Sequence, residues 1–218
     1  EADYKAKNIG YHEGKLIFDV YYHGAFLGAV ELCVPGNHNV LNALATVATA
    51  RYCGIDFENI VKALSRFHGA KRRFQTKGHV RGIWVVDDYA HHPTEINATL
   101  AAARSMGTHR VVCLFQPHRY TRTQLLADEF SKAFTSADKL ILTDIYSAGE
   151  DPIDGVGGTF LTDKVKAATG QDAEYIATKA ELLNYLKKYA QPRDLIITMG
   201  AGDIYKVGEE FVAQEESE

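Results

Sequence analysis

Between Arg72 and Glu95 the chain gathers ionisable and hydrogen-bonding side chains around one short apolar run: Arg72-Arg73-Phe74-Gln75, then Trp84-Val85-Val86-Asp87-Asp88-Tyr89-Ala90-His91-His92-Pro93-Thr94-Glu95. This is the arrangement expected where a buried strand delivers chemistry to its carboxyl end. A second cluster, Gln116-Pro117-His118-Arg119-Tyr120-Thr121-Arg122-Thr123, follows another apolar run and carries two guanidinium groups three residues apart. A planar, permanently charged fork pairs bidentately with carboxylate or phosphate, and the N–H groups of a helix start add to the pull on an anion. Simpler roles exist for both clusters. Adjacent aspartates also serve as turns or helix caps, a His-His pair as a hydrogen-bonded surface feature, and an Arg pair as a solvated face.

The remaining glycine turns exclude some chemistries. Gly200-Ala201-Gly202 lacks the third glycine of a dinucleotide fingerprint, and Gly155-Val156-Gly157-Gly158 is not followed by Lys-Ser/Thr. Neither is a phosphate loop by its own residues, and an NAD-dependent oxidoreductase is poorly supported.

These groups need elements to hold them. Residues 8–34 alternate polar and apolar positions around two turn signals and predict a three-stranded antiparallel meander. A helix opening at Asn37 or His38 buries Val40, Leu41, Leu44, Val47 and Ala48, and Gly54 ends it. A second helix is capped by Asp56, buries Ile60, Val61, Leu64 and Phe67, and closes at Gly69. From there apolar strands (83–87, 110–115, 139–143, 173–176, 195–199) alternate with amphipathic helices (94–105, 121–133, 159–168, 180–189, and one after Gly202). The pattern predicts an α/β, Rossmann-like, mostly parallel sheet with helices on both faces, preceded by the meander and helix pair. The boundary is placed so that residues 1–71 and 72–218 form separate domains. The acidic end, residues 214–218, is expected to fray.

The chain has 218 residues, 46% hydrophobic and 24% charged, with a formal net charge of -4 and no Lys/Arg block, a balance that argues for a soluble globular protein and against a nucleic-acid or anionic-membrane partner. No apolar run is long enough to span a bilayer and no signal-peptide pattern occurs, so a cytoplasmic location is expected. Cys33, Cys53 and Cys113 are odd in number and widely spaced, which predicts buried free thiols and no metal knuckle. The chain opens on Glu1 and not on Met, and so reads as a piece of something longer.

Six segments in order, GNHNVLNALA (36–45), RRFQ (72–75), VVDDYAHHPTEI (85–96), FQPHRYTRT (115–123), DIYSAGEDPI (144–153) and MGAGDI (199–204), resemble the Mur ligase family, and within it the UDP-N-acetylmuramate–L-alanine ligases of bacterial peptidoglycan synthesis. The resemblance covers about residues 36–207. It implies the end of the ATP-binding central domain over residues 1–71 and the carboxyl-terminal domain over 72–218. The upstream UDP-binding domain and the G-T-H-G-K-T phosphate loop of that family are not in this sequence.

By that resemblance, Asn39 and Asn42 contact adenine, with His38 shaping their turn. Arg73 approaches the terminal phosphate of ATP and is the catalytic candidate. Asp88 meets the ribose hydroxyls and Tyr89 the adenine face, while His91, His118, Arg119 and Arg122 meet the amino-acid and muramoyl side. The implied co-substrates are ATP, L-alanine and UDP-N-acetylmuramate; Mg2+ is implied too, with its ligands upstream, so no metal residue is assigned here. The γ-phosphoryl group would pass to the lactyl carboxylate and the alanine amine would attack the acyl phosphate, chemistry that depends on positioning and on well-placed cations. Without the phosphate loop, this chain alone is expected to be inactive. The alternatives are the murein-tripeptide recycling ligase of the same superfamily, which FQPHRYTRT and DIYSAGE disfavour, and a non-catalytic ligand-binding module.

Overall fold

The structure, a computed structural model, describes residues 2–216 and divides into two compact units, the chain passing from one to the other between Ala70 and Lys71. In the first unit β1 (Tyr4–His12), β2 (Lys15–Tyr22) and β3 (Ala25–Leu32) form the expected antiparallel meander. Its two-residue turns, Glu13-Gly14 and His23-Gly24, have positive φ at both positions, which matches the twist of the flanking strands. Leu16, Phe18 and Val20 alternate into a core with Val30, Leu32, and the buried faces of α1 (Asn37–Tyr52) and α2 (Phe57–Leu64).

Some sequence expectations fail in this unit. Leu41 is 67% and Phe67 51% exposed, and α2 ends at Leu64 well before Gly69. Of the three thiols only Cys113 is buried; Cys53 is exposed and Cys33 is half-buried.

The second unit is a six-stranded sheet in the order β4-β5-β9-β6-β7-β8. The strands are β4 (Gln75–Val80), β5 (Ile83–Asp88), β6 (Arg110–Phe115), β7 (Lys139–Leu142), β8 (Ala173–Tyr175) and β9 (Asp194–Met199). The central strands are apolar on both faces because both are covered. One face packs against Ile96, Leu100 and Ala103 of α3 (Pro93–Ser105) and Leu161 and Val165 of α6 (Gly158–Thr169). The other packs against Leu182 and Leu186 of α7 (Lys179–Tyr189) and Val207 and Phe211 of α8 (Tyr205–Glu215). Fully buried Phe115, Phe130 and Phe134 contribute roughly 2–3 kcal/mol each by removing apolar area from water.

Strand β4 is not foreseen by the sequence reading. It pairs antiparallel with β5, and its Lys77-Gly78-His79 centre breaks the alternation that would have marked it, with a register shift between Thr76 and Gly78. A Cβ on Gly78 would stand 2.6 Å from a methyl of Val212, so the missing side chain lets α8 close over the edge strand. The single helix expected at 121–133 is two short ones, α4 (Tyr120–Leu125) and α5 (Ala127–Phe130), because Leu126 leaves the helical region at φ -107, ψ 20. The break leaves Leu125 in solvent while Phe130 and Phe134 enter the core. The chain end also departs from expectation, since α8 includes Gln214 and Glu215; Ser217 and Glu218 lie outside the described residues.

Candidate functional site

The sheet order β5-β9-β6 sets three carboxyl-terminal loops side by side: 89–92 after β5, the glycine turn after β9, and 116–119 after β6. Arg72 ties two of them together. Its Nε donates to Asp87 Oδ2 at 2.8 Å, and its Nη1 and Nη2 donate to the carbonyls of Gly202 (2.9 Å) and Gly200 (2.7 Å). Its own carbonyl accepts from Tyr89 N at 2.6 Å. Gln116 does the same from β6, with Oε1 accepting from Asp203 N at 2.9 Å and Ile204 N at 3.1 Å. A side chain on Gly202 would collide with that Oε1 and with the Tyr146 ring, so the turn requires glycine there.

Asp88 is only 4% exposed, and its carboxylate accepts from Phe74 N at 2.8 Å and Ala90 N at 2.7 Å. Burial pushes this carboxyl above the usual range, while the two N–H bonds and Arg73 oppose the rise. The next turn is closed by a capping box: His92 Nδ1 accepts from Thr94 N, and Glu95 Oε2 accepts from His92 N at 3.3 Å and His91 N at 3.0 Å, with Pro93 in the first turn.

Around this frame five of the expected residues of the second unit, Arg73, Tyr89, His91, His118 and Arg122, form a row. The exposed Arg73 guanidinium sits 5.7 Å from the Tyr89 ring, with Nη1 3.8 Å from Glu95 Oε1. Tyr89 meets His91 edge-on at 5.3 Å, and His91 meets His118 at 6.1 Å. Arg122 Nη1 lies 3.4 Å from His118 Nδ1. Burial, followed by the charge of Arg122, holds the His118 imidazole below its usual value and so favours the neutral ring.

Arg119 stands at the start of α4 with φ 72, ψ 137, a strained conformation for a non-glycine residue. Its N–H donates to the Tyr146 carbonyl at 2.9 Å, and its Nη1 is 3.6 Å from Glu150 Oε1. Glu150 also accepts from Thr121 Oγ1 at 2.7 Å and Thr121 N at 3.0 Å, bonds that keep its carboxyl below the usual range. The Tyr146 ring stacks on His118 at 5.6 Å. Sequence reasoning brought loop 144–150 to this crevice without singling out Tyr146 or Glu150, and it missed Arg72 and Gln116 as organisers. Their partners lie up to 130 residues away, so no local pattern marks them.

In the first unit, Asn39 and Asn42 line an apolar cavity of about 410 Å³ together with Leu32, Val34, Ala43 and Phe67. Asn39 is oriented by its Nδ2 bond to the Pro35 carbonyl at 2.7 Å, and its Oδ1 accepts from Asn42 Nδ2 at 3.2 Å. His38 is exposed on the first turn of α1. Among the described residues no group of three or more His, Cys, Asp or Glu side chains converges to hold a metal ion, and no helix is long and apolar enough to cross a membrane. Among the described residues no such group is available to a Mg2+ ion, and no chemical step is assigned to that ion.

The chain is similar to known proteins in sequence and in fold. The chain is 52% identical over 212 residues to the UDP-N-acetylmuramate–L-alanine ligase of Pelotomaculum thermopropionicum, covering 97% of this chain and 46% of that protein. It is 46% identical to the ligase of the same name from Clostridium novyi, again over 97% of this chain and 46% of the relative. The crystal structure of the UDP-N-acetylmuramate-alanine ligase of Thermotoga maritima superposes with a TM-score of 0.85 at 30% identity, covering 100% of this chain and 46% of that one. The chain thus spans about half the length of the curated relatives it matches. Residues 72–202 match the family described as "Mur ligase, glutamate ligase domain", and the chain belongs to the Mur ligase family.

Proposed function

We propose that this chain is the carboxyl-terminal part of an ATP-dependent ligase that joins L-alanine to UDP-N-acetylmuramate in cytoplasmic peptidoglycan synthesis. The observation that carries this reading is the row Arg73, Tyr89, His91, His118, Arg122 along adjacent strand ends, where a guanidinium stands at each end of a tyrosine and two imidazoles. Acyl-phosphate chemistry develops negative charge on phosphoryl and carbonyl oxygens, and such a row supplies donors placed in advance.

Within it, Arg73 is assigned to the terminal phosphate of ATP as the catalytic cation, Asp88 to ribose and Tyr89 to the adenine face. His91, His118, Arg119 and Arg122 are assigned to the amino acid and the muramoyl group, Arg119 and Arg122 as carboxylate anchors. In the first unit, the apolar slot rimmed by Asn39 and Asn42 suits a flat heteroaromatic ring with amide partners, which supports the adenine role, with His38 assigned to shape their turn. Residues 1–71 are read as the end of the central ATP-binding domain and 72–218 as the carboxyl-terminal domain. Mg2+ is assigned to ligands outside this sequence.

The test uses the full-length protein that carries this sequence, with phosphate release measured in the presence of ATP, UDP-N-acetylmuramate and L-alanine. Release that requires all three supports the reading. Turnover with murein tripeptide and none with alanine would move the chain to the recycling ligase, and binding without turnover to a ligand-binding module.

A further inference from the structure

We propose that Glu95 is a positioning residue that fixes His91 in the tautomer able to take a proton from the incoming amine. This rests on the ligase reading above and adds to it the group that activates the nucleophile.

His91 Nδ1 lies 3.0 Å from the Tyr89 carbonyl oxygen and 3.4 Å from Glu95 Oε2. Burial of Glu95 works against its ionisation, but the backbone N–H groups of His91 and His92 and the charge of Arg73 hold its carboxyl below the usual range. A carbonyl and a carboxylate can only accept, so the proton sits on Nδ1 and the lone pair on Nε2. The same carboxylate is clamped by the capping box, which makes its distance to the ring a property of the helix end.

His118, the other imidazole of the row, has the opposite arrangement. Its Nδ1 faces Arg122 Nη1 at 3.4 Å, a group that can only donate, so its lone pair is taken and Nε2 carries the proton. Of the two rings, His91 keeps an acceptor nitrogen for a ligand and His118 keeps a donor. The titratable and charged groups around His91 are Glu95 and Arg73, and His118 with Arg119, Arg122 and Glu150 beyond it.

In the reaction, one ammonium proton of alanine passes to His91 Nε2, leaving an imidazolium whose Nδ1–H faces Tyr89 O and Glu95. The freed nitrogen pair forms the C–N bond at the acyl-phosphate carbon. The C–O bond to phosphate then breaks, phosphate leaves with that electron pair and takes the second nitrogen proton, and His91 releases its own proton to solvent.

Two measurements test this. Long-range proton–nitrogen spectra of the labelled 218-residue chain report the neutral tautomer of His91 directly. The Nδ1–H form is expected, and the Nε2–H form would overturn the proposal whatever the enzyme does. In the full-length protein, Glu95→Gln retains an acceptor for the cap but removes the charge. Alanine-dependent turnover should fall about tenfold or more, in the range of general-base effects, while acyl phosphate trapped with hydroxylamine in the absence of alanine forms as in wild type. A parallel loss of acyl-phosphate formation would show that Glu95 acts through its ion pair with Arg73 or through the helix end, and would sink the idea. Absence of alanine-dependent turnover in the wild-type protein would instead remove the ligase reading, with the tautomer still reporting the geometry.

Discussion

The Asp87 carboxylate, fully buried, is paired with the Arg72 guanidinium at 2.8 Å and takes a second bond from Thr198 Oγ1 at 2.9 Å. The pair joins the first residues of the second unit to its central strands. Removing one partner of a buried pair leaves an uncompensated charge and typically costs about 3–5 kcal/mol. Arg72→Met is therefore expected to lower the urea unfolding free energy of the second unit by roughly 3 kcal/mol. Arg72→Lys should lose less, since an ammonium can meet Asp87 while giving up the two glycine carbonyls. A loss for Arg72→Met no larger than that of a surface substitution would show that the pair does not hold the loops.

Nucleotide and substrate roles should separate in the full-length protein. Arg122→Lys keeps the charge but loses the fork, a change worth on the order of 1.5–3 kcal/mol for hydrogen bonds to a charged group. The expected result is a roughly ten- to hundredfold rise in KM for alanine or UDP-N-acetylmuramate, with KM for ATP nearly unchanged. An effect confined to ATP would reassign this arginine.

Asp88→Asn should do the reverse and carry a stability cost. One of the two N–H groups now held by the carboxylate, Phe74 N or Ala90 N, would lose its acceptor, at about 1–3 kcal/mol. Both a higher KM for ATP and a lower unfolding midpoint are expected. A change in neither would remove Asp88 from the site.

His118 gives the chain a pH signature. Its folded value lies below the unfolded one, so between the two the unfolded state binds more protons and stability rises with pH. The contribution is complete above the usual imidazole range and is lost as pH falls through the folded value. His118→Gln should flatten the decline in urea midpoint between about pH 7 and 5. Arg122→Met should move the His118 titration upward in proton spectra, and an unmoved titration would count against the Arg122 contact.

The 218-residue chain is expected to show no ATP hydrolysis and no alanine-dependent phosphate release, because its sequence contains no Gly-Lys-Thr phosphate loop. A phosphate-release assay on the purified chain, free of longer protein, checks this directly. Robust activity would mean that the nucleotide phosphates are held by residues present here.

Much of the fold is legible in the sequence, because fully covered strands such as Arg110–Phe115 and amphipathic helices such as Pro93–Ser105 announce themselves by period. The edge strand Gln75–Val80 could not, since it is specified by pairing with β5 and by α8 closing over Gly78. The break at Leu126 is likewise a tertiary effect, imposed by the phenylalanines that follow it. In the site, residue types at strand ends pointed to Arg73, Asp88 and the histidines. Which nitrogen of each histidine is free depends on distances to Tyr89, Glu95 and Arg122, and those follow only from the folded loops.

The position of β9 has a consequence for assembly. Strands β5 and β6 do not pair with each other; each pairs with β9, which follows both in sequence. Without Asp194–Met199 the sheet order leaves the β4-β5 pair and the β6-β7-β8 strands unjoined, each with one edge unpaired. On a ribosome the sheet therefore cannot close progressively from its amino-terminal side. It closes once, late, when β9 enters between β5 and β6 and brings Gly200 and Gly202 to the waiting guanidinium of Arg72, the kind of distant pairing that slows folding.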